Sequence, residues 1–163
     1  MASIIGHELS HSIDNHGRQF TKDGIIPEHE WWTEHSLEGF EYIAKKVVAE
    51  YGSPQGCENA HYGEQTLSED IADLSGVTMS YLTLQNVNQT EQQWFFQSFA
   101  QMWASAYTQK RKCQLVTQDE HALPSYRVSK TLKHMDGFHK AYGCGPGSGM
   151  FVEKENRIVM YGQ

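Results

Sequence analysis

The residues best suited to chemistry stand near the start of the chain, in His7-Glu8-Leu9-Ser10-His11. On a helix, His7 and His11 lie one turn apart on a shared face, with Cβ atoms about 5–6 Å apart. Two imidazoles at that spacing reach one zinc ion at about 2.0–2.1 Å each. Glu8 projects beside them, placed to take a proton from an attacking water and later pass it to the leaving amine. The H-E-x-x-H pattern depends on being helical, and the flanking Ile4, Ile5, Leu9 and Ile13 predict a buried helix.

Two imidazoles do not complete a zinc site, so a third ligand is decisive. The extended pattern with a third His downstream needs Gly at position 14 and His at position 17. The chain has Asp14 and Gly17 there, with His16 one place early, which excludes that class. The other solution is a carboxylate from a separate helix, the two-His, one-Glu set of thermolysin-like enzymes. Glu69-Asp70-Ile71-Ala72-Asp73 offers Glu69 as that ligand, with Asp73 one turn further on to orient an imidazole. A carboxylate behind a ligand His fixes its tautomer and raises its basicity, and Asp14 is placed to do the same for His11. A competing role for Glu69 stays open at this point. Thr66-Leu67-Ser68-Glu69 also reads as a capping box, and a Glu used that way is not free for metal.

The elements that would position these groups are mostly helices. Helical periodicity runs from Ser3 to about Ile13, from Ser36 to Tyr51, from Thr66 to about Leu84, and from near Thr90 through Trp94, Phe95, Phe99, Met102, Trp103 and Tyr107. The aromatic stripe of that last segment predicts core packing rather than a ligand site. Asp14-Asn15-His16-Gly17 and Lys22-Asp23-Gly24 are turn chemistry. His134 to Tyr142 reads as a short helix stopped by Gly143, and Arg157 to Tyr161 as a strand or an extended arm.

The chain of 163 residues is one domain in length, and 39% hydrophobic with 20% charged residues is ordinary globular composition. A formal charge of -7 argues against a nucleic-acid surface, which needs clustered Lys and Arg. No apolar run approaches the roughly 20 residues that span a bilayer, and the N-terminus lacks a basic stretch followed by an apolar core. Cys57, Cys113 and Cys144 are widely spaced, and an odd number cannot all pair within one chain. Zinc held through cysteine is not expected.

Several stretches in order resemble the neprilysin-type zinc peptidases, which include endothelin-converting enzymes and bacterial oligopeptidases. They are Ile4 to Asp14, Asn15-His16-Gly17-Arg18, Lys22-Asp23-Gly24, Trp31-Trp32-Thr33, Thr66 to Asp73, and His121-Ala122-Leu123-Pro124-Ser125-Tyr126-Arg127. The resemblance implies a mainly α fold, the thermolysin-like (gluzincin) catalytic helical subdomain with few strands. It implies one zinc held by His7, His11 and Glu69, with Glu8 as general base and Asp73 and Asp14 behind the histidines. It further implies that His121 stabilises the oxyanion and that Arg127 binds a substrate carbonyl. Spacing alone singles out neither residue, and both read as loop residues.

The same resemblance implies a peptide substrate and a single catalytic domain over 1–163. That domain corresponds only to the C-terminal portion of longer family members, without their cap domain and substrate-pairing strand. A second polypeptide supplying that portion is therefore one expected partner, and a zinc-binding relative inactive on its own is the alternative. The ending around Met150-Phe151-Val152-Glu153 looks more like bacterial members, and Ala104 stands where a family cysteine is expected, so the animal disulfide pattern is not assumed. Family members are mostly extracellular or periplasmic, with some cytoplasmic bacterial forms, and the sequence does not choose among these.

Overall fold

A computed structural model describes residues 1–84 and 86–160. The chain forms α1 (Ala2–Ser10), α2 (Glu34–Glu50), α3 (Tyr62–Gln65), α4 (Leu67–Leu82), α5 (Gln89–Met102), α6 (Gln109–Gln118), α7 (Pro124–Leu132) and α8 (Asp136–Tyr142), with short 3-10 turns at His11–Ile13, Gly17–Gln19 and Lys154–Asn156. There is no strand among the described residues, and no helix there is long and apolar enough to cross a membrane. Of the segment predicted as a strand or extended arm, Arg157 has extended backbone and Ile158 is buried, its N–H donating to His134 Nδ1 at 3.2 Å. Tyr161, the end of that predicted segment, lies outside the described residues.

The central element is α4, in which every residue from Glu69 to Thr78 is buried. A helix buried all round must be covered on more than one side. One side meets Phe40, Ala44 and Val47 of α2 and Tyr51 at its C-terminal cap through Ile71 and Leu74. The other meets Phe96 and Phe99 of α5 and Leu132 of α7 through Val77.

The local signals that stop and start helices act as expected in several places. Thr33 caps α2 by accepting from the Ser36 N–H, and Gly143 ends α8 in the left-handed region at φ 65°. Asn88 and Glu91 form a full capping box on α5, which starts the helix cleanly. No such box forms at Thr66. Its hydroxyl instead bonds Tyr62 O and the Asp70 carboxylate, which leaves Glu69 untied from the helix end.

Three expectations need correction. Helix α1 is not buried by its apolar flanks, because Ile5 and Leu9 are 56% and 65% exposed. The buried face of α1 is Ser3, Gly6, His7 and Ser10, small and polar groups that allow close approach. The aromatic segment also stops early, at Met102. Phe96 and Phe99 enter the core, but Trp94 and Tyr107 stay largely exposed. Arg127 is no loop residue: it lies buried on α7, which opens with Pro124 at its first turn.

Candidate metal centre

The site begins with the crossing of α1 and α4. Gly76 carries no side chain because there is no room for one. A Cβ there would sit 2.4 Å from His7 N and 2.7 Å from Ser3 O, and one on Gly6 would sit 2.8 Å from Gly76 O. The two backbones therefore touch, and this contact brings His7 and Glu69, from different helices, within reach of each other. His11 follows in the 3-10 turn His11–Ile13 that continues α1, so the one-turn spacing of the two histidines survives the tightening of the helix.

Two imidazole nitrogens and the two oxygens of one carboxylate converge. His7 Nε2 is 3.2 Å from His11 Nε2 and 3.1 Å from Glu69 Oε2, and His11 Nε2 is 3.4 Å from Glu69 Oε1. A tetrahedral zinc with bonds of about 2.0–2.1 Å requires ligand-to-ligand edges of about 3.3–3.4 Å. All three separations are close to that edge. Glu69 Oε2 is buried and accepts no well-formed hydrogen bond among the described residues, although the imidazole nitrogens of His7 and His121 lie 3.1 Å and 3.3 Å away. A buried carboxylate oxygen without a hydrogen bond is costly unless positive charge sits against it. These residues fit a zinc ion.

Carboxylates behind the histidines set their orientation. His7 Nδ1–H donates to Asp73 Oδ1 at 2.9 Å, and His11 Nδ1–H to Asp14 Oδ2 at 2.7 Å. Because a carboxylate can only accept, each bond puts a proton on Nδ1 and aims Nε2 at the common point. Asp14 is itself fixed by Ser68 Oγ and by the N–H groups of His16 and Gly17. Burial pushes the Asp14 carboxyl up, but the bonds from Ser68, His11 and the two N–H groups outweigh it and hold the pKa low.

Asp73 is shared. Arg127 donates Nε to its Oδ2 at 2.6 Å and Nη2 to its Oδ1 at 2.7 Å, a two-point pairing of buried partners. Trp103 lies flat against this guanidinium, 3.7 Å from carbon to ring centre. Arg127 is thus engaged with Asp73, in addition to whatever it offers a substrate. His121 lies at the exposed rim, its Nδ1 bonded to Asp119 at 2.9 Å and its Nε2 3.3 Å from Glu69 Oε2. Glu8 is exposed, and its carboxylate has no hydrogen-bond or ion-pair partner among the described residues.

The cluster is electrostatically tuned. Burial alone lowers the His7 pKa, but the Asp73 hydrogen bond and then Glu69 overcome this and raise it to about 9 without a metal. Burial likewise raises Glu69, while the contact with His7 and the charges of His121 and His11 bring it below its usual value. A His held at about 9 in the fold, against 6.5 unfolded, stabilises the metal-free protein fully below pH 6.5. That contribution is lost as pH rises through about 9. Thermal denaturation of chelator-treated protein from pH 6 to 10 should therefore show a falling midpoint above pH 6.5, which saturating zinc suppresses. Zinc uptake at pH 7 should release about one proton, measured by calorimetry in buffers of different ionisation enthalpy.

The sequence reading brings His7, His11, Glu69, Asp73, Asp14, His121 and Arg127 into one region, and the structure keeps them there. It misses the glycine contact, Ser68, Trp103 and Asp119. Only Asp119 carried a local signal, as an Asp two residues before His121 whose carboxylate accepts from the His121 N–H.

The fold matches solved structures. PEPO from Lactobacillus rhamnosis HN001 superposes with a TM-score of 0.89 at 28% identity, over 98% of this chain and 25% of that one. The Mycobacterium tuberculosis zinc metalloprotease ZMP1, in complex with inhibitor, gives 0.85 at 21% identity over 97% and 26%, a likeness of fold. By fold the molecule is thus a helical domain like the matching part of these structures. The chain belongs to peptidase family M13, whose model matches residues 1–158. The endothelin-converting enzyme homolog of Locusta migratoria is 35% identical over 164 residues, covering 92% of this chain and 22% of that protein. The chain therefore spans between a fifth and about a quarter of the length of these relatives.

Proposed function

We propose that this chain is a zinc-dependent peptidase, with His7, His11 and Glu69 holding the ion and Glu8 acting as general base. The observation that carries the reading is the convergence of the three donor atoms on one point, with a buried Glu69 oxygen that lacks a hydrogen bond. Bound zinc supplies Lewis acidity: it polarises a scissile carbonyl and makes water a competent nucleophile near neutral pH.

The chain's own residues do the rest. Glu8, unpaired and beside His7, takes the proton of the attacking water and returns it to the departing amine. His121 presents Nε2 toward the site because Asp119 occupies its Nδ1, so it can donate to the oxygen on which negative charge develops. Arg127 holds Asp73, and through it His7, while its Nη1 is left to meet a substrate carbonyl.

The test is metal content with turnover of an internally quenched peptide. Purified protein should hold about one zinc per chain, lose hydrolysis on chelation and recover it when zinc is returned. Hydrolysis that persists without metal would overturn the reading. A second reading draws on the outer face of α1, where Ile5 and Leu9 are exposed. A further polypeptide covering that face would make this chain the zinc-holding part of a larger enzyme. Zinc binding without turnover is its signature.

A further inference from the structure

Among the helices of ten or more residues, α6 is the one least held by packing. Its sequence, Gln109 to Gln118, is polar, and only Val116 is fully buried. A helix with one buried side chain has little apolar burial to fix its position. Yet α6 leads directly into the turn that carries His121, through Asp119 at its C-terminal cap. Asp119 in turn accepts from both the N–H and the Nδ1 of His121.

Beyond the burial of Val116 and the partial burial of Leu115 and Cys113, α6 is held by a set of tethers to one neighbouring segment. Gln109 Nε2 donates to Gly56 O at 2.9 Å and Lys112 Nζ to Gln55 O at 3.1 Å, both exposed bonds that exchange readily with water. Asn59 Nδ2 and Gln65 Nε2 reach Val116 O, and Gln65 also reaches Asp119 O. In the middle of this set stands a covalent bond, Cys57–Cys113, joining residues 56 apart in sequence. Cys57 is buried in the core beside α2, so the bond ties α6 to the rigid part of the molecule.

We infer that the Cys57–Cys113 disulfide is a positioning element for His121, fixing α6 so that the Asp119–His121 turn faces Glu69. The inference rests on the peptidase reading for its kinetic consequence, but its structural consequence can be measured without any turnover.

The experiment compares the zinc-loaded full chain, in a Cys144→Ser background that prevents mispairing, with the same chain carrying Cys57→Ser and Cys113→Ser. In case the serine variants fail to fold, the intact disulfide is also reduced in the folded protein. A trialkylphosphine attacks one sulfur and the S–S bond breaks. Water then converts the phosphonium to the phosphine oxide, leaving two thiols. Breaking the bond should lower kcat for a quenched peptide by about ten- to a hundredfold, with a smaller change in KM and unchanged zinc content. In a His121→Ala background the same break should change kcat less than about twofold, because the residue through which it acts is gone. Hydrogen exchange should quicken in 109–123 and stay unchanged in α1 and α4.

An equal loss of kcat in both backgrounds, or no loss at all, would overturn the inference. If no form hydrolyses peptide, the peptidase reading fails and exchange alone decides. Faster exchange confined to 109–123 then supports the positioning role, and unchanged exchange there refutes it.

Discussion

Glu8→Gln is expected to keep its zinc and its melting temperature while kcat falls by about a hundred- to ten-thousandfold, the usual worth of a positioned general base. The side chain is exposed and bonded to nothing among the described residues, so exchanging a carboxylate for an amide of the same shape removes no stabilising contact. It also leaves the three converging donors intact. What is lost is the ability to accept a proton from water, which a neutral amide lacks. Metal analysis and melting curves beside steady-state kinetics check all three parts. Full activity in the variant would remove Glu8 from the mechanism.

Gly76→Ala should do the opposite damage, weakening zinc binding and the fold together. Alanine is favoured over glycine inside a helix by about 1 kcal/mol. Against this, the new methyl would lie 2.4 Å from His7 N, a backbone atom that cannot swing aside. Forcing α1 off α4 costs about 1–3 kcal/mol or more in a packed interior. The clash therefore wins. Because His7 and Glu69 sit on the two separated helices, zinc affinity should fall by about ten- to a hundredfold, comparable to losing an orienting partner. Gly39→Ala is the control: it lies within α2 with nothing near its added carbon, and should stabilise slightly. Zinc titration and thermal melting of both variants decide the matter. An unchanged zinc affinity in Gly76→Ala would show that the helix contact does not set the site.

Much of this arrangement was legible in the sequence, for identifiable reasons. The His7/His11 spacing and the Glu69/Asp73 spacing are each one helical turn, and a helix converts sequence distance directly into direction. The long helices α2 and α4 were legible because their apolar period is regular. By contrast, α6 was not, since one buried residue in ten leaves no period to detect. The burial of α1 was misjudged because apolar flanks usually face inward. Here Gly6 and Gly76 make the inner face, and a contact between two bare backbones leaves no hydrophobic trace. The Thr66 capping box was a fair local reading that lost to another local bond, because the hydroxyl turns instead to Asp70, one helical turn further on. The pairing of Cys57 with Cys113 could not be deduced, as spacing alone does not say which of three cysteines remains single.

Because α4 is walled in on both sides, the proposed zinc ligand Glu69 rides on an element with little freedom to shift. Glu69, Asp70 and Asp73 follow one another on a rod shared by both apolar clusters. An ion gripped from that rod is energetically linked to the integrity of the whole, since whatever binds only the folded form adds its free energy to global stability. Loosening anywhere along α4 would be felt as lost affinity, and occupancy would in turn tighten helices that never touch the ion. Under the zinc reading, ion affinity and global stability of this architecture should therefore rise and fall together.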